Sequence, residues 1–334
     1  MRRPIRVITA FAAICLTAFC VFAQMQRQKI EIVPPPDYKA PAMENSPELQ
    51  TYLTESMAAV LNAYPAHGFK ADDIAATLID LRRPNDLRWA NVGGDRQIYP
   101  ASVVKMFYMA ALERQLQDGK VTMTAELQRG LRDMIVVSSN EATQYILDVL
   151  TDTSSGAELP KNEFERWQQQ RNRVNRFYAA MGYQNINANQ KTFCEDAYGI
   201  EQQSRNYKGQ NRNTLTTNAV ARLLAEIVLG RMNTPERTKA MMDLMKRDPF
   251  GDSKDPDSQA TGFTGKMLAD RKMTDSRLWS KAGWTSKSRH DAAYVETPDG
   301  LKFVLVIFTE NHADEREVIP SIAGKIVDRL RAAK

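Results

Sequence analysis

A serine and a lysine three residues apart carry the first chemistry that this sequence offers. Ser102 and Lys105 lie within the otherwise apolar run YPASVVKMFYMAAL. Positions i and i+3 of a helix face the same side, so the two side chains are neighbours. A lysine whose pKa is lowered by burial can take the proton that makes a serine hydroxyl nucleophilic. The spacing predicts a nucleophile at Ser102 with Lys105 as its base.

The same two residues also fit an ordinary structural interpretation. A serine at the start of a helix often caps it, and a lysine can extend its charged end to solvent. The surrounding residues favour the chemical interpretation, because a lone ammonium group in an apolar helix is costly unless it is paired or used.

Two further polar clusters follow along the chain. MIVVSSNEAT places Ser138 and Asn140 at the break between two helical segments, where a hydroxyl would relay a proton and an amide would orient a substrate. SKAGWT places Lys281 and Gly283 on a strand, where the lysine would attract a carboxylate and the glycine would admit a substrate backbone. The alternatives are helix capping at Asn140 and an edge strand protected by its lysine.

The elements that must position these residues can be read from hydrophobic periodicity. A helix is predicted from Pro47, then a strand in DIAATLIDL and a hairpin with turn signals at Pro84-Asn85-Asp86 and Gly93-Gly94. Further helices are predicted at Val103 to Gln117, Ala125 to Val136, Asn140 to Leu150, Lys161 to Met181, Thr217 to Leu229 and Pro235 to Lys246. Three strand patterns, LWSKAGWT, DAAYVETP and LKFVLVIFTE, and a last helix close the chain.

This order predicts an α+β fold with two lobes and a cleft between them. Strands that follow one another without long helices form an antiparallel sheet, which the terminal helices would flank. The expected domain spans residues 47–334, with an α/β lobe from 47–100 and 260–334 and an all-helical lobe from 101–259.

The N-terminus has the composition of a targeting segment. Residues 1–23 combine a basic start with an apolar run and predict a secretory signal peptide, followed by a proline-rich linker at 24–46. An uncleaved membrane anchor is the alternative. The large Phe19 argues against lipid attachment at Cys20. The protein is expected in the periplasm or outside the cell.

Charge and composition exclude several other classes. The formal net charge is +5, and removing the leader with its three arginines lowers it to +2, so nucleic-acid binding is not expected. Cys194 is the one cysteine beyond the leader, and His67, His290 and His312 lack metal spacing. We expect a monomer without metal or organic cofactor.

Together, the three clusters resemble the motifs of the serine β-lactamase and penicillin-binding superfamily, and class A β-lactamases most closely. Those enzymes carry Ser-x-x-Lys, Ser-Asp-Asn and Lys-Thr-Gly in this order on the same elements. Segments such as LRDMIVVSSNEATQYIL and TLTTNAVARLLAEIVLG are also similar, so the resemblance covers most of 49–333. It implies an antiparallel sheet flanked by helices, plus a helical lobe.

The resemblance also implies a role for each site residue. Ser102 would be acylated, Lys105 would assist it, and Ser138 would protonate the leaving nitrogen. Asn140 would bind the substrate amide, and Lys281 the substrate carboxylate. The N–H groups of Ser102 and Trp284, beside Gly283, would form the oxyanion hole.

Two positions depart from the family motifs. Ser139 replaces an aspartate that is largely structural, and Ala282 replaces a hydroxyl residue that helps bind the substrate carboxylate. Arg289 is the best candidate to compensate, since a guanidinium suits a carboxylate. Thr285, Ser286 and Ser288 are alternatives.

The residue that would activate water to release the acyl group is the largest departure. If Asn206 matches the family asparagine, Gln202 occupies the position of the family glutamate. Glu201, one residue away, is the expected base, with Glu195 and Asp196 as alternatives.

The favoured function is therefore an exported serine hydrolase that forms an acyl-enzyme at Ser102 and hydrolyses β-lactams. A peptidoglycan-directed carboxypeptidase or amidase with slow deacylation is the second hypothesis. The third is a binding protein on the same fold without turnover.

Overall fold

A computed structural model describes residues 31–64 and 68–333. The predicted signal peptide and His67 lie outside this range, so the leader remains a prediction. Within the described ranges we find no helix with the length and apolarity needed to span a membrane.

Seven strands form one sheet in the described residues. They are β1 (Met43–Asn45), β2 (Ile74–Asp80), β3 (Leu87–Val92), β4 (Lys246–Arg247), β5 (Arg277–Trp284), β6 (Ser288–Glu296) and β7 (Lys302–Glu310). Their order is β1-β3-β2-β7-β6-β5-β4, with β1 parallel to β3 and all other pairs antiparallel. The predicted hairpin and the three C-terminal strands are confirmed.

Eleven α-helices accompany the sheet in the described residues. They are α1 (Pro47–Leu61), α2 (Val104–Gln117), α3 (Ala125–Val136), α4 (Asn140–Thr151), α5 (Lys161–Arg171), α6 (Arg173–Ala180), α7 (Ile200–Arg205), α8 (Thr217–Val228), α9 (Pro235–Met245), α10 (Thr264–Asp270) and α11 (Val318–Ala332).

Two hydrophobic cores hold these elements together. One face of the sheet packs against α1, α10 and α11, and the other face packs against α8 and the helical lobe. Helix α2 lies inside the helical lobe, where every residue from Val104 to Leu116 is buried. This position explains why the run from Met106 to Leu112 is apolar on all sides of the helix. The expected α+β fold, with a flanked antiparallel sheet and a helical lobe, is confirmed.

Three local expectations need correction. The helix expected from Lys161 to Met181 breaks at Asn172, which ends α5 and begins α6. Helix α10 was not expected, because its seven residues are too short for clear periodicity. The described end of the expected linker packs on the domain, where Ile32 is buried and Tyr38 donates a hydrogen bond to Glu226.

Candidate active site

Ser102 lies in a short 3₁₀ turn, Ala101–Val103, that leads into α2. Ala101 has a φ of 45°, a left-handed conformation that costs a non-glycine residue about 1 kcal/mol or more. The turn is maintained because β5 lies directly against it. A side chain on Gly283 would place its Cβ 2.6 Å from the Ser102 nitrogen, so only glycine permits this approach.

His290 holds the same turn from the neighbouring strand. Its Nδ1 accepts a hydrogen bond from the Thr309 N–H, so its Nε2 carries the proton and donates it to the Tyr99 carbonyl, 2.9 Å away. Complete burial lowers the pKa of His290 to about 4. This neutral imidazole therefore positions the backbone just before Ser102.

Lys105 is buried at the start of α2, three residues after Ser102. Its Nζ lies 2.6 Å from the Ser138 carbonyl, 3.2 Å from Ser138 Oγ and 2.8 Å from Asn140 Oδ1. Burial lowers the pKa of Lys105 to about 7, while the nearby Glu141 and Cys194 raise it slightly. A substantial fraction of this lysine is therefore neutral at neutral pH, as a general base requires.

Ser138 is placed between two lysines. It has a φ of 60°, and its Oγ lies 3.2 Å from Lys105 Nζ and 3.0 Å from Lys281 Nζ. A hydroxyl has two acceptor sites and one proton. Hydrogen bonds from the N–H groups of the two lysines occupy both acceptor sites, which leaves the Ser138 proton free to point towards the cleft.

Lys281 is fully buried, and all three of its protons have acceptors. Its Nζ lies 2.5 Å from Gln259 Oε1, 2.6 Å from the Ala282 carbonyl and 3.0 Å from Ser138 Oγ. Burial lowers the pKa of Lys281 well below its usual value, and the charge of Lys105 lowers it further. Gln259, which no local sequence signal indicated, thus lies where a substrate carboxylate was expected.

Beyond Trp279, the outer edge of β5 has no strand partner in the described residues. In the described residues β4 pairs only with Leu278 and Trp279 of β5. The Ala282 N–H on this edge donates to Gln259 Oε1, 3.1 Å away. Because alternate residues of an antiparallel strand direct their backbone groups to the same edge, the Trp284 N–H also points outward. It can join the N–H of Ser102, at the start of its helix, in an oxyanion hole.

A cavity of about 780 Å³ opens over these groups. Ser102, Ser138, Asn140, Gly283 and Trp284 all line it. Its further lining residues include Val136, Val137, Phe193, Cys194, Ser253, Asp255, Asp257, Ser258, Gln259, Ala282, Thr285 and Ser286. The structure therefore brings seven of the nine expected site residues together, with Lys105 and Lys281 buried behind the lining.

Glu201 is not one of the residues at this cavity, which corrects the expectation that it activates water. Its carboxylate receives two hydrogen bonds from Arg171, each 2.9 Å long, and one from Ser155 at 2.8 Å. Lys191 Nζ lies 3.3 Å away. Burial raises the pKa of Glu201, but Arg171 and Lys191 outweigh that effect and lower it. This carboxylate is a buried structural ion.

Arg289 is also placed elsewhere, which corrects its expected role in carboxylate binding. Its guanidinium is buried, lies 2.6 Å from Asp257 Oδ1 and donates to the carbonyls of Pro256 and Gly262. It also stacks over the Phe263 ring at 3.9 Å. The sequence identified the charge of Arg289 but not the direction in which its side chain leaves β6, because successive side chains of a strand point to opposite faces.

The comparisons with known proteins agree with this geometry. The profile of the Beta-lactamase enzyme family matches residues 123–330, which is more than half of the chain. The chain belongs to this family. The match begins after Lys105, so the roles of Ser102 and Lys105 rest on the geometry above. No curated protein matches the chain.

Solved structures of a β-lactamase and of PBP-A share this fold. The β-lactamase of Sphaerobacter thermophilus DSM 20745 is 20% identical, with a TM-score of 0.58, over 84% of this chain and 97% of that one. PBP-A is 17% identical, with a TM-score of 0.57, over 88% of this chain and 100% of the other. A PBP-A variant in an acyl-enzyme complex with penicillin G is equally similar, covering 88% of this chain and 99% of its own. Family and fold together support a β-lactamase-like serine hydrolase.

Among the described residues, no group of histidine, cysteine or carboxylate side chains has the arrangement of a metal site.

Proposed function

We propose that the protein opens the amide of β-lactams by acyl transfer to Ser102 and releases the product slowly. Ser102 Oγ attacks the carbonyl carbon while neutral Lys105 takes its proton. The carbon–nitrogen bond then breaks, and Ser138 donates its proton to the leaving nitrogen while it receives a proton from protonated Lys105, 3.2 Å away. The N–H groups of Ser102 and Trp284 stabilise the oxyanion. The observation that carries this proposal is the placement of Ser138 Oγ within 3.2 Å of both lysines beside Ser102.

Slow release follows from the carboxylates that line the cleft. Asp257 is held by Arg289 and Arg316, and Asp255 Oδ1 accepts a hydrogen bond from the Asp257 N–H. The segment that faces Asn140 carries Phe193 and Cys194, and neither is a carboxylate. A general base must lie within hydrogen-bond reach of the water that it activates. The penicillin-binding alternative is therefore favoured over rapid β-lactam hydrolysis.

Intact-mass spectrometry with benzylpenicillin tests the acylation step. The wild-type protein should gain the mass of one penicillin, and peptide mapping should place it on Ser102. Ser102→Ala should show no adduct, while Ser258→Ala, at a serine of the same cleft, should retain it. An adduct on Ser102→Ala, or none on the wild type, would remove the proposed nucleophile.

A non-catalytic binding role is less well supported. Burial of two lysines beside a serine is costly, and it is difficult to explain without a reaction that uses them.

We also propose that the protein is exported. The support is the leader composition of residues 1–23. The mature N-terminus should be Gln24, which N-terminal sequencing of protein from the cell envelope can check. A chain that retains Met1 and stays with the membrane would instead favour the anchor.

A further inference from the structure

The catalytic cleft carries no positive charge on its wall. Among the described residues that line it there is neither a lysine nor an arginine, and its two charged residues, Asp255 and Asp257, are both acidic. The two cations of the site, Lys105 and Lys281, are buried behind the lining. A substrate carboxylate that enters this cleft therefore meets charge of its own sign and must find its cation beneath the wall.

The side-chain amide of Gln259 covers one of these buried cations. Its Oε1 lies 2.5 Å from Lys281 Nζ and accepts the Ala282 N–H at 3.1 Å. Its Nε2 donates to the carbonyls of Ile135 and Val136, at 3.2 Å and 3.0 Å. An amide side chain has two donor protons and two acceptor sites on its oxygen, so every one of them is used. Gln259 thus connects β5 to the last turn of α3.

The two groups that bond to Gln259 Oε1 are those that a carboxylate would use. An amine N–H and a backbone N–H that converge on one oxygen form a favourable pair of donors for an anion. Lys281 has no further proton to offer, because its other hydrogen bonds go to the Ala282 carbonyl and to Ser138 Oγ. An anion can bind here only if the Gln259 amide first leaves, which also breaks its two bonds to α3.

We propose that Gln259 determines substrate specificity by keeping Lys281 and the Ala282 N–H from binding a substrate carboxylate. This inference rests on the proposed acylation of Ser102. It assigns to the protein a substrate whose leaving side is uncharged next to the scissile amide, such as an internal peptide bond or an amidated chain end.

Benzylpenicillin and its methyl ester test the inference on the wild-type protein. The acid carries a carboxylate on the carbon next to the lactam nitrogen, and the ester makes this group neutral. The measured quantity is the ratio of their second-order acylation constants, acid to ester, from the growth of the adduct in intact-mass spectra. The acid should react no faster than the ester. A clear preference of the wild type for the acid would overturn the inference.

Gln259→Ala provides the second test, because it frees Lys281 Nζ and the Ala282 N–H. The acid-to-ester ratio should rise about tenfold relative to wild type, the size expected for a hydrogen bond to a charged group. Both constants come from one protein sample, so partial loss of folded protein cancels in the ratio. Gln203→Ala is the matched control, since Gln203 also bonds through both amide atoms, to the backbone of Leu159, and does not line the cleft. It should keep the wild-type ratio.

The outcomes separate this inference from the proposed function. An unchanged ratio in Gln259→Ala, with both compounds still forming adducts on Ser102, would overturn the role of Gln259 alone. If Gln259→Ala does not fold, the preference of the wild type decides. Absence of an adduct from either compound on the wild type would overturn the proposed function and the inference with it.

Discussion

At the scale of single residues, the site depends on how two buried lysines share one hydroxyl. Both Lys105 and Lys281 lie within hydrogen-bond distance of Ser138 Oγ, and burial lowers the pKa of both. The positive charges of two neighbouring ammonium groups repel each other, so the loss of a proton from one of these lysines is favoured. The arrangement fits the proposed roles, in which Lys105 accepts a proton from Ser102 and Ser138 donates one.

The pH dependence of acylation should report the protonation of Lys105. Because its pKa is lowered to about 7 and the neutral amine is the base, the rate constant should rise with pH through an inflection near 7. Stopped-flow acylation with a chromogenic β-lactam measures this profile. Lys105→Arg should lower the rate on the order of 100-fold and remove the inflection. A wild-type rate that stays constant across the neutral range would contradict the assignment.

Cys194 offers a position at which a missing carboxylate can be supplied. Its Sγ lies 3.3 Å from Asn140 Nδ2, and it lines the same cleft as Ser102. Cys194→Glu should accelerate release of the acyl group about 100-fold, because a positioned general base contributes that much. The lifetime of the adduct in mass spectrometry is the measurement, with Cys194→Gln as the control of equal size. Equal lifetimes for the two variants would show that the absent base is not what limits release.

Substitution of Glu201 distinguishes a structural role of its carboxylate from a catalytic one. Glu201→Gln removes the more deeply buried of the two carboxylates that Arg171 and Lys191 share and leaves only Asp148, so the free energy of unfolding should fall by about 3 kcal/mol. Chemical denaturation measures this loss. Glu195→Gln, at an exposed position of the same segment, should leave stability unchanged. A Glu201→Gln variant of normal stability with a prolonged adduct would restore Glu201 as the base.

At the scale of elements, the site is formed by three segments that meet around Gly283. The turn before α2 brings Ser102, the break between α3 and α4 brings Ser138 and Asn140, and β5 brings Lys281. The contact between β5 and the turn requires glycine, since any side chain would enter the backbone of Ser102 and Val103. The geometry of acyl transfer therefore depends on one close approach between a strand and a helix start.

Gly283→Ala tests this approach. The added Cβ must displace the turn, so acylation should fall by about 100-fold, and the free energy of unfolding should fall by about 1–3 kcal/mol. Gly156→Ala, where a Cβ meets nothing within 4 Å, is the matched control. Acylation at the wild-type rate in Gly283→Ala would mean that the turn moves freely and that its position does not limit the reaction.

Local sequence signals predicted some elements well. Helix α3 begins and ends where it was expected, because the Thr124 side chain caps it and a clear apolar stripe runs along it. The break at Asn172 was not visible, since the apolar stripe continues across it. Strand β1 has only three residues and forms by pairing with the distant β3, so its own sequence carries little signal.

The sequence predicted the site residues that belong to recognisable motifs. It did not predict residues whose positions depend on contacts between distant segments of the chain. Spacing indicated Ser102, Lys105 and Ser138, which the fold brings together. Gln259 lies in a loop without periodicity, and its contact with Lys281 depends on tertiary packing. Glu201 failed as a predicted base because its partner Arg171 lies 30 positions earlier in the sequence.

At the scale of the whole molecule, a sheet with helices on both faces presents one strand edge to a cleft at the helical lobe. Each face of the sheet has its own hydrophobic core, so β5 is fixed from both sides, while its outer edge beyond Trp279 has no strand partner in the described residues. The lowered pKa values of both lysines follow from the burial that this packing imposes. The fold thus fixes the groups of the proposed acylation site, and the lining residues Phe193 and Cys194 supply no carboxylate for the proposed release step.

The lifetime of the acyl-enzyme tests this account most directly. The protein is acylated with benzylpenicillin, free penicillin is removed, and intact mass is followed with time. Enzymes commonly turn over about 10 times per second, so an efficient β-lactamase would lose its adduct before the first spectrum. We predict an adduct on Ser102 that persists through many successive spectra and is absent from Ser102→Ala. Rapid loss of the adduct with release of opened penicillin would contradict slow release and identify an efficient β-lactamase.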